Sequence, residues 1–229
     1  PIASLTKLMT ASVVLDHEVA LNQIVSLKNS DDVGGAKLWV NDGDRMSVGD
    51  LFYATLVASA NNAANALART TGLSKSEFVE EMNARTKDWQ LTQTHFVDSS
   101  GIEVGNVSTP REMAQLAQKV FSHERIQKIT TTATKFIRVT NTKTSKKMVN
   151  TNWMLWKPQY DDVWVTAGKT GFLDESGWNL VVTVRPSKND TRELLIVLFG
   201  ASSRTASFED ADRLASWAWD VYKWNPLSS

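Results

Sequence analysis

The sequence predicts an α+β fold, with helices over roughly residues 1–130 and an antiparallel sheet with a terminal helix over roughly 131–229, all in one domain. Three observations carry this. Capping signals and helical apolar spacing recur up to about Thr130, alternating β-branched runs dominate from Lys135 to Phe199, and helical spacing returns from Phe208. The 229 residues, 42% apolar and 22% charged, are enough for a core that needs no staples.

Residues 4–19 read as a helix, led in by Ile2-Ala3 and carrying Leu5, Leu8, Met9, Val13 and Leu15. Residues 22–44 are broken by Gly34-Gly35 and Asn41-Asp42-Gly43, the mark of short strands and turns. Ser47-Val48-Gly49-Asp50 has the form of a capping box opening a helix through residues 51–57. Ser59-Ala60-Asn61 interrupts that apolar run, and an alanine-rich helix over 62–69 follows, stopped by Gly72. Ser74-Lys75-Ser76-Glu77 caps a further helix to about Trp89, and Thr109-Pro110-Arg111-Glu112 opens another with proline at its first position. Residues 135–140 alternate as a half-buried strand does, with a hairpin tip at 141–145. Residues 163–166, 178–184 and 194–199 are further strands, the last two joined by a turn at 186–190. The closing helix, 208–224, carries Leu214, Trp217, Val221 and Trp224, with Trp217 and Trp224 expected in the core.

Composition removes several classes of function. With 25 acidic and 25 basic residues the net charge is zero, so nothing favours nucleic acid or an anionic membrane as partner. Cysteine is absent, which excludes disulfides, thiolate metal sites and a cysteine nucleophile. No apolar run approaches the roughly 18 residues of a membrane span. The chain opens inside a motif, so any leader is expected to lie outside it.

That motif is Ser4-Leu5-Thr6-Lys7. Serine and lysine three apart on a helix share one face, with Cβ atoms about 5–6 Å apart. At a helix N-terminus the serine is surrounded by free N–H groups that suit a developing oxyanion. Lys7 can take the serine proton only when neutral, which burial or a second cation such as Lys169 would promote. Ser-x-x-Lys alone is weak. Ser59-Ala60-Asn61 is no stronger, since Ser187-Lys188-Asn189 repeats it in an expected turn. Lys169-Thr170-Gly171 is expected to end a strand begun at Val163, presenting a cation and a hydroxyl at the sheet edge while glycine admits a ligand to the backbone.

The order of the three decides the matter. Ser-x-x-Lys, a Ser-x-Asn triplet and Lys-Thr-Gly together are the signature of penicillin-binding proteins and class A β-lactamases. The likeness extends further. Pro1-Ile2-Ala3-Ser4-Leu5-Thr6-Lys7-Leu8-Met9-Thr10-Ala11 resembles the active-site segment of serine D-alanyl-D-alanine carboxypeptidases, the low-molecular-mass penicillin-binding proteins. Thr94-His95-Phe96 with Ser100-Gly101-Ile102, Asn150-Thr151-Asn152, and Ala167-Gly168-Lys169-Thr170-Gly171-Phe172 with Ser176-Gly177-Trp178-Asn179-Leu180 resemble later segments of the same family. Phe172 after the glycine resembles its DD-endopeptidase branch.

The resemblance implies a DD-peptidase/β-lactamase-like fold. It implies Ser4 as the acylated nucleophile, Lys7 as its base, and Ser59 as a proton relay held by Asn61 and both lysines. It implies Lys169 and Thr170 as ligands of the substrate carboxylate, and the N–H groups of Ser4 and Phe172, the residue after Gly171, as an oxyanion hole. The implied substrates are peptidoglycan stem peptides with D-Ala-D-Ala-type bonds, the implied covalent inhibitors are β-lactams, and the implied location is periplasmic or otherwise extracytoplasmic. No cofactor or metal is implied. Ala60 stands where many members have glycine or aspartate. The helix and strands that members carry before the nucleophile, and their extra C-terminal domain and anchor helix, are expected to be absent from this sequence.

Three other readings remain. A class A β-lactamase needs a Glu-x-x-Leu-Asn loop, which Glu103-Val104-Gly105-Asn106 does not match. A Ser-His-Asp hydrolase would need His17, His95 or His123, and no Gly-x-Ser-x-Gly elbow exists. A penicillin- or wall-sensing domain without turnover would keep the motifs. Lys143, Lys146 and Lys147 read as a solvated turn. Trp39, Trp153 and Trp156 fall in loops, where a ligand groove and core packing are both open.

Overall fold

The computed structural model describes residues 1–224, so Pro226-Leu227-Ser228-Ser229 lies outside the described residues. A 3-10 turn, Ala3–Leu5, leads into α1 (Thr6–Asp16). Leu5, Leu8, Met9, Ala11, Val13 and Val14 are all buried, and so are Thr6, Lys7 and Thr10. A helix buried on every side is a core helix, not a surface one. It ends at Asp16, short of the expected Val19, because Glu18 turns left-handed with φ 51°.

The short strands β1 (Ile24–Ser26) and β2 (Arg45–Ser47) pair antiparallel, with Val25 opposite Met46. α2 (Val48–Leu56) begins directly after the expected cap, with Ser47 Oγ accepting from the Asp50 N–H at 3.0 Å. α3 (Asn61–Arg69) follows the break at Ser59. α4 (Lys75–Asp88) opens on the expected reciprocal box, in which the Ser74 N–H donates to Glu77 and the Glu77 N–H to Ser74. α5 (Pro110–Phe121) is capped by Thr109, and α6 (Glu124–Thr130) by His123.

β3 (Thr134–Val139) and β4 (Thr144–Val149) form the expected hairpin. β5 (Trp164–Leu173), β6 (Gly177–Arg185) and β7 (Leu194–Ala201) form an antiparallel sheet in that order, leaving β5 at an edge. β5 begins one residue after the expected Val163 and runs two residues past Gly171. Lys169-Thr170-Gly171 lies inside the strand, where Lys169, Thr170 and Gly171 face Val181, Leu180 and Asn179 of β6.

The sheet separates two cores, as the alternation of strand side chains requires. Val181 on β6 and Leu195, Val197 and Phe199 on β7 pack toward α1–α6, while Leu180, Val182, Val184 and Ile196 pack toward α7 (Arg204–Val221). α5 lies against β7, and α7 lies across β6 and β7. These two layers of helices around one sheet give the α+β fold that the sequence predicts.

The expected apolar face of the last helix is not its buried face. α7 buries Ser207, Phe208, Ala211, Ala215 and Ala218, whereas Leu214, Trp217 and Val221 are exposed, Trp217 to 52%. Small residues let the helix approach the sheet closely, and Phe208 fills the gap by stacking on Trp153 at 5.6 Å. Trp224 lies beyond the helix end and is half-buried. Accordingly, Phe208→Ala lowers stability by about 3–5 kcal/mol, and Trp217→Ser changes it by less than about 0.5 kcal/mol. Chemical denaturation of the two variants checks this, and equal losses would restore the expected face.

Candidate active site

Ser4 sits in the 3-10 turn ahead of α1, and Lys7 in the first turn of the helix. One turn of separation brings Lys7 Nζ to 2.8 Å from Ser4 Oγ. Two further acceptors complete the surroundings of the amine, Asn61 Oδ1 at 2.7 Å and the Ser100 carbonyl at 2.5 Å. Lys7 is wholly buried, and burial brings its pKa down to about 7 against the opposing pull of Asp98. An ammonium donates to all three acceptors. A neutral amine must turn its lone pair toward a donor, and among the three only the Ser4 hydroxyl can donate. Loss of the lysine proton therefore prepares Ser4 O–H to donate to Lys7.

Ser59 occupies the break between α2 and α3 with φ 60°, a left-handed conformation costing about 1–2 kcal/mol in a non-glycine residue. Its hydroxyl accepts from Lys169 Nζ at 2.8 Å, and Lys169 also donates to the Thr170 carbonyl. Burial, then Lys7, then Arg204 hold the Lys169 pKa well below its ordinary value. Asn61 opens α3, fixed by its N–H on the Ala36 carbonyl at 2.7 Å and by Nδ2 on the Gly34 carbonyl at 2.9 Å. Its remaining oxygen points at Lys7.

Strand alternation splits the third motif. Lys169, like Ala167, faces the helical layer and Ser59, while Thr170 faces the other way, where its hydroxyl donates to Thr151 Oγ1 at 2.7 Å. Gly171 has neither role. A Cβ there would lie 2.9 Å from the Ile2 carbonyl oxygen and 3.1 Å from Ser4 N, so only glycine lets β5 run against the turn that carries Ser4. Phe172, 43% exposed, leans on Trp178 of β6 with ring centroids 4.4 Å apart.

All eight residues singled out from the sequence thus converge. Ser4, Ser59, Asn61, Thr170, Gly171 and Phe172 line a cleft of about 340 Å³, with Lys7 and Lys169 buried beneath it. A larger cavity of 740 Å³ lies behind residues 98–103 and holds none of the eight. The other candidates lie apart. His17 pairs with Glu81, His95 bridges to Val107 through its backbone, and His123 caps α6. Ser187-Lys188-Asn189 lies in the β6–β7 connection.

Sequence reading missed Arg204 and Trp178, which also line the cleft. Arg204 donates from Nη2 to the Thr151 carbonyl at 2.7 Å and lies over Trp153, 4.4 Å from the ring centroid, while its buried Nε has no partner. The sequence offered no signal for Arg204, because the closing helix was expected to begin only at Phe208, whereas it begins at Arg204 itself. The loop tryptophans serve elsewhere. Trp153 stacks on Phe208, Trp156 donates Nε1 to the Asn150 carbonyl, and Trp39 is 75% exposed beside Lys37.

A family model described as D-alanyl-D-alanine carboxypeptidase matches residues 1–203. The chain belongs to that family. A D-alanyl-D-alanine endopeptidase of Haemophilus influenzae is 31% identical over 91% of this chain and 70% of its own length. Among solved structures, penicillin-binding protein D2 of Listeria monocytogenes in its cefotaxime-bound form superposes with a TM-score of 0.80 at 29% identity, covering 96% of this chain and 87% of that one. The Streptomyces K15 DD-transpeptidase shares the fold, with a TM-score of 0.86 at 24% identity over 96% of this chain and 88% of its own. Gly171→Ala lowers stability by about 1–3 kcal/mol, because a Cβ there meets the Ile2 carbonyl and Ser4 N and parts β5 from the Ser4 turn. Chemical denaturation checks this, and an unchanged midpoint would show that the close approach is dispensable.

Proposed function

We propose that this member of the family is a serine DD-peptidase that cleaves D-Ala-D-Ala-type bonds of peptidoglycan stem peptides through an acyl enzyme on Ser4. The observation that carries the reading is the 2.8 Å contact between Ser4 Oγ and a wholly buried Lys7 whose pKa lies at about 7.

The steps follow from the geometry. Neutral Lys7 takes the Ser4 proton as Oγ attacks the carbonyl carbon. The oxyanion meets the N–H groups of Ser4 and Phe172, and the Gly171 approach holds those two segments together. The leaving amine receives its proton through Ser59, whose hydroxyl is oriented by Lys169. Its α-carboxylate meets Thr170 and the Arg204 guanidinium, both of which line the cleft. Water then releases the acyl group from Ser4. A terminal D-Ala and the crosslinking residue of a second stem peptide both leave as amines bearing an α-carboxylate, so one anion site serves carboxypeptidase and endopeptidase cleavage. Phe172 and the Haemophilus influenzae relative favour crosslinks. β-Lactams acylate the same serine, and the substrate places the enzyme outside the cytoplasm.

A β-lactamase role lacks its deacylating group. Glu103 is exposed, Asp98 is held by its own loop, and no carboxylate hydrogen-bonds Ser4 or Lys7 among the described residues.

Purified crosslinked muropeptides incubated with the chain yield monomers or free D-alanine, at rates that rise as pH passes through about 7 and Lys7 loses its proton. Ser4→Ala reduces this at least about 10³-fold. Equal release by the two proteins would remove Ser4 from the reaction.

A further inference from the structure

Asp98 is absent from the motifs, yet it organises the loop that closes over Lys7. Its Oδ1 accepts from the Ser100 N–H at 2.5 Å, Ser100 Oγ at 2.8 Å and the Gly101 N–H at 2.6 Å. Its Oδ2 accepts from the Glu103 N–H at 2.9 Å and Asn106 Nδ2 at 2.7 Å. Five donors converge on one carboxylate, and these charge-assisted bonds are the strong kind.

The knotted loop touches the nucleophile segment at four points. The Ser100 carbonyl accepts from Lys7 Nζ at 2.5 Å, and the Ser99 carbonyl accepts from Thr10 Oγ1, one helical turn on, at 2.6 Å. The Ile2 N–H donates to the Asn106 carbonyl at 2.9 Å. Gly101 lies so close to Ala3 that a Cβ would come within 2.0 Å of the Ala3 carbonyl oxygen. Ala3, directly before the nucleophile, is itself left-handed at φ 48°, so the loop backs a strained turn.

We propose that Asp98 is a positioning residue of the Ser4–Lys7 pair, knotting residues 98–106 so that the Ser100 carbonyl clasps Lys7 and Gly101 backs the turn that presents Ser4. The proposal rests on the serine DD-peptidase reading of the site. Asp98 touches no reacting atom. A carboxamide cannot replace it fully, because its NH₂ would face Glu103 N–H and Asn106 Nδ2, both donors.

The carboxylate has a second effect, through charge. Other charged groups on elements packed against α1 are engaged elsewhere. Glu112 of α5 accepts from Gln93 and Thr94, Arg69 of α3 pairs with Asp31, and Arg85 and Glu81 of α4 pair with Asp16 and His17 beyond the far end of α1. Asp50 of α2 accepts from the Arg138 N–H, and Glu103 is exposed. On the sheet side stand the cations Lys169 and Arg204. Asp98 is thus the anion that favours the protonated form of Lys7. Without it, neutral Lys7 persists to lower pH.

The test is the pH dependence of Ser4 acylation by fluorescent penicillin in wild type, Asp98→Asn and Ser100→Ala, with thermal melts alongside. For Asp98→Asn we expect the plateau rate to fall about tenfold or more as the pair loses its alignment, and the acid limb to move to lower pH. Ser100→Ala removes one bond to Asp98 but keeps the charge and the carbonyl, so its acid limb stays at the wild-type pH. An Asp98→Asn limb that stays in place, or a Ser100→Ala limb that moves equally, overturns the proposal. If Asp98→Asn loses its folded transition, Asp98→Ser, whose hydroxyl can still form a local turn, is read by the same criteria. Loss of fold in both reduces Asp98 to a determinant of folding and overturns it too. Failure of the wild type to acylate at Ser4 instead contradicts the functional reading.

Discussion

The structure depends on one constraint, a lysine amine buried completely with neutral acceptors and, among the described residues, no carboxylate in contact. Lys7 has Ser4, Asn61 and the Ser100 carbonyl around its nitrogen. A direct ion pair would have kept it protonated, and exposure would have returned it toward its ordinary value. Two of the three acceptors, Asn61 and the Ser100 carbonyl, come from segments distant in sequence, so the start of α3 and the loop after α4 must both close on α1. Lys169 repeats the pattern one layer away, with Ser59 and a backbone carbonyl as its partners.

Holding two amines out of water costs stability, and the fold concentrates its irregular backbone around them. Ala3 and Ser59 have left-handed φ values, and Gly101 and Gly171 sit where a Cβ has no room. Strain of this kind persists only where surrounding structure over-determines it. Here that structure is the largely buried α1, the capped start of α2 and the edge strand β5. The stability of the two cores on either side of the sheet offsets the cost of the site between them.

Much of this was legible in the sequence, for physical reasons. Capping residues located α2, α4 and α5, because a cap is a local hydrogen bond that short spacing reveals. The site residues were legible because nucleophile, base and anion ligand are demanded as residue types in a fixed order. What failed depended on tertiary context. Lys169-Thr170-Gly171 lies two residues short of the end of β5, and not at its end, because pairing with β6 carries the strand on to Leu173. Trp217 is exposed because small alanines, not bulk, decide which face of α7 meets the sheet. Arg204, Trp178 and Asp98 reach the site only through the fold.

The chemistry proposed above follows from that constraint, since a buried lysine whose pKa is brought down to about 7 can take a neighbouring hydroxyl proton near neutral pH. The direct measurement is a pH titration of the lysine ε-carbons by ¹³C NMR in the folded chain, with Lys7 assigned through a Lys7→Arg variant. The account predicts one Lys7 signal with a midpoint of about 7. A midpoint near ~10.4, the value of a free lysine, would contradict it.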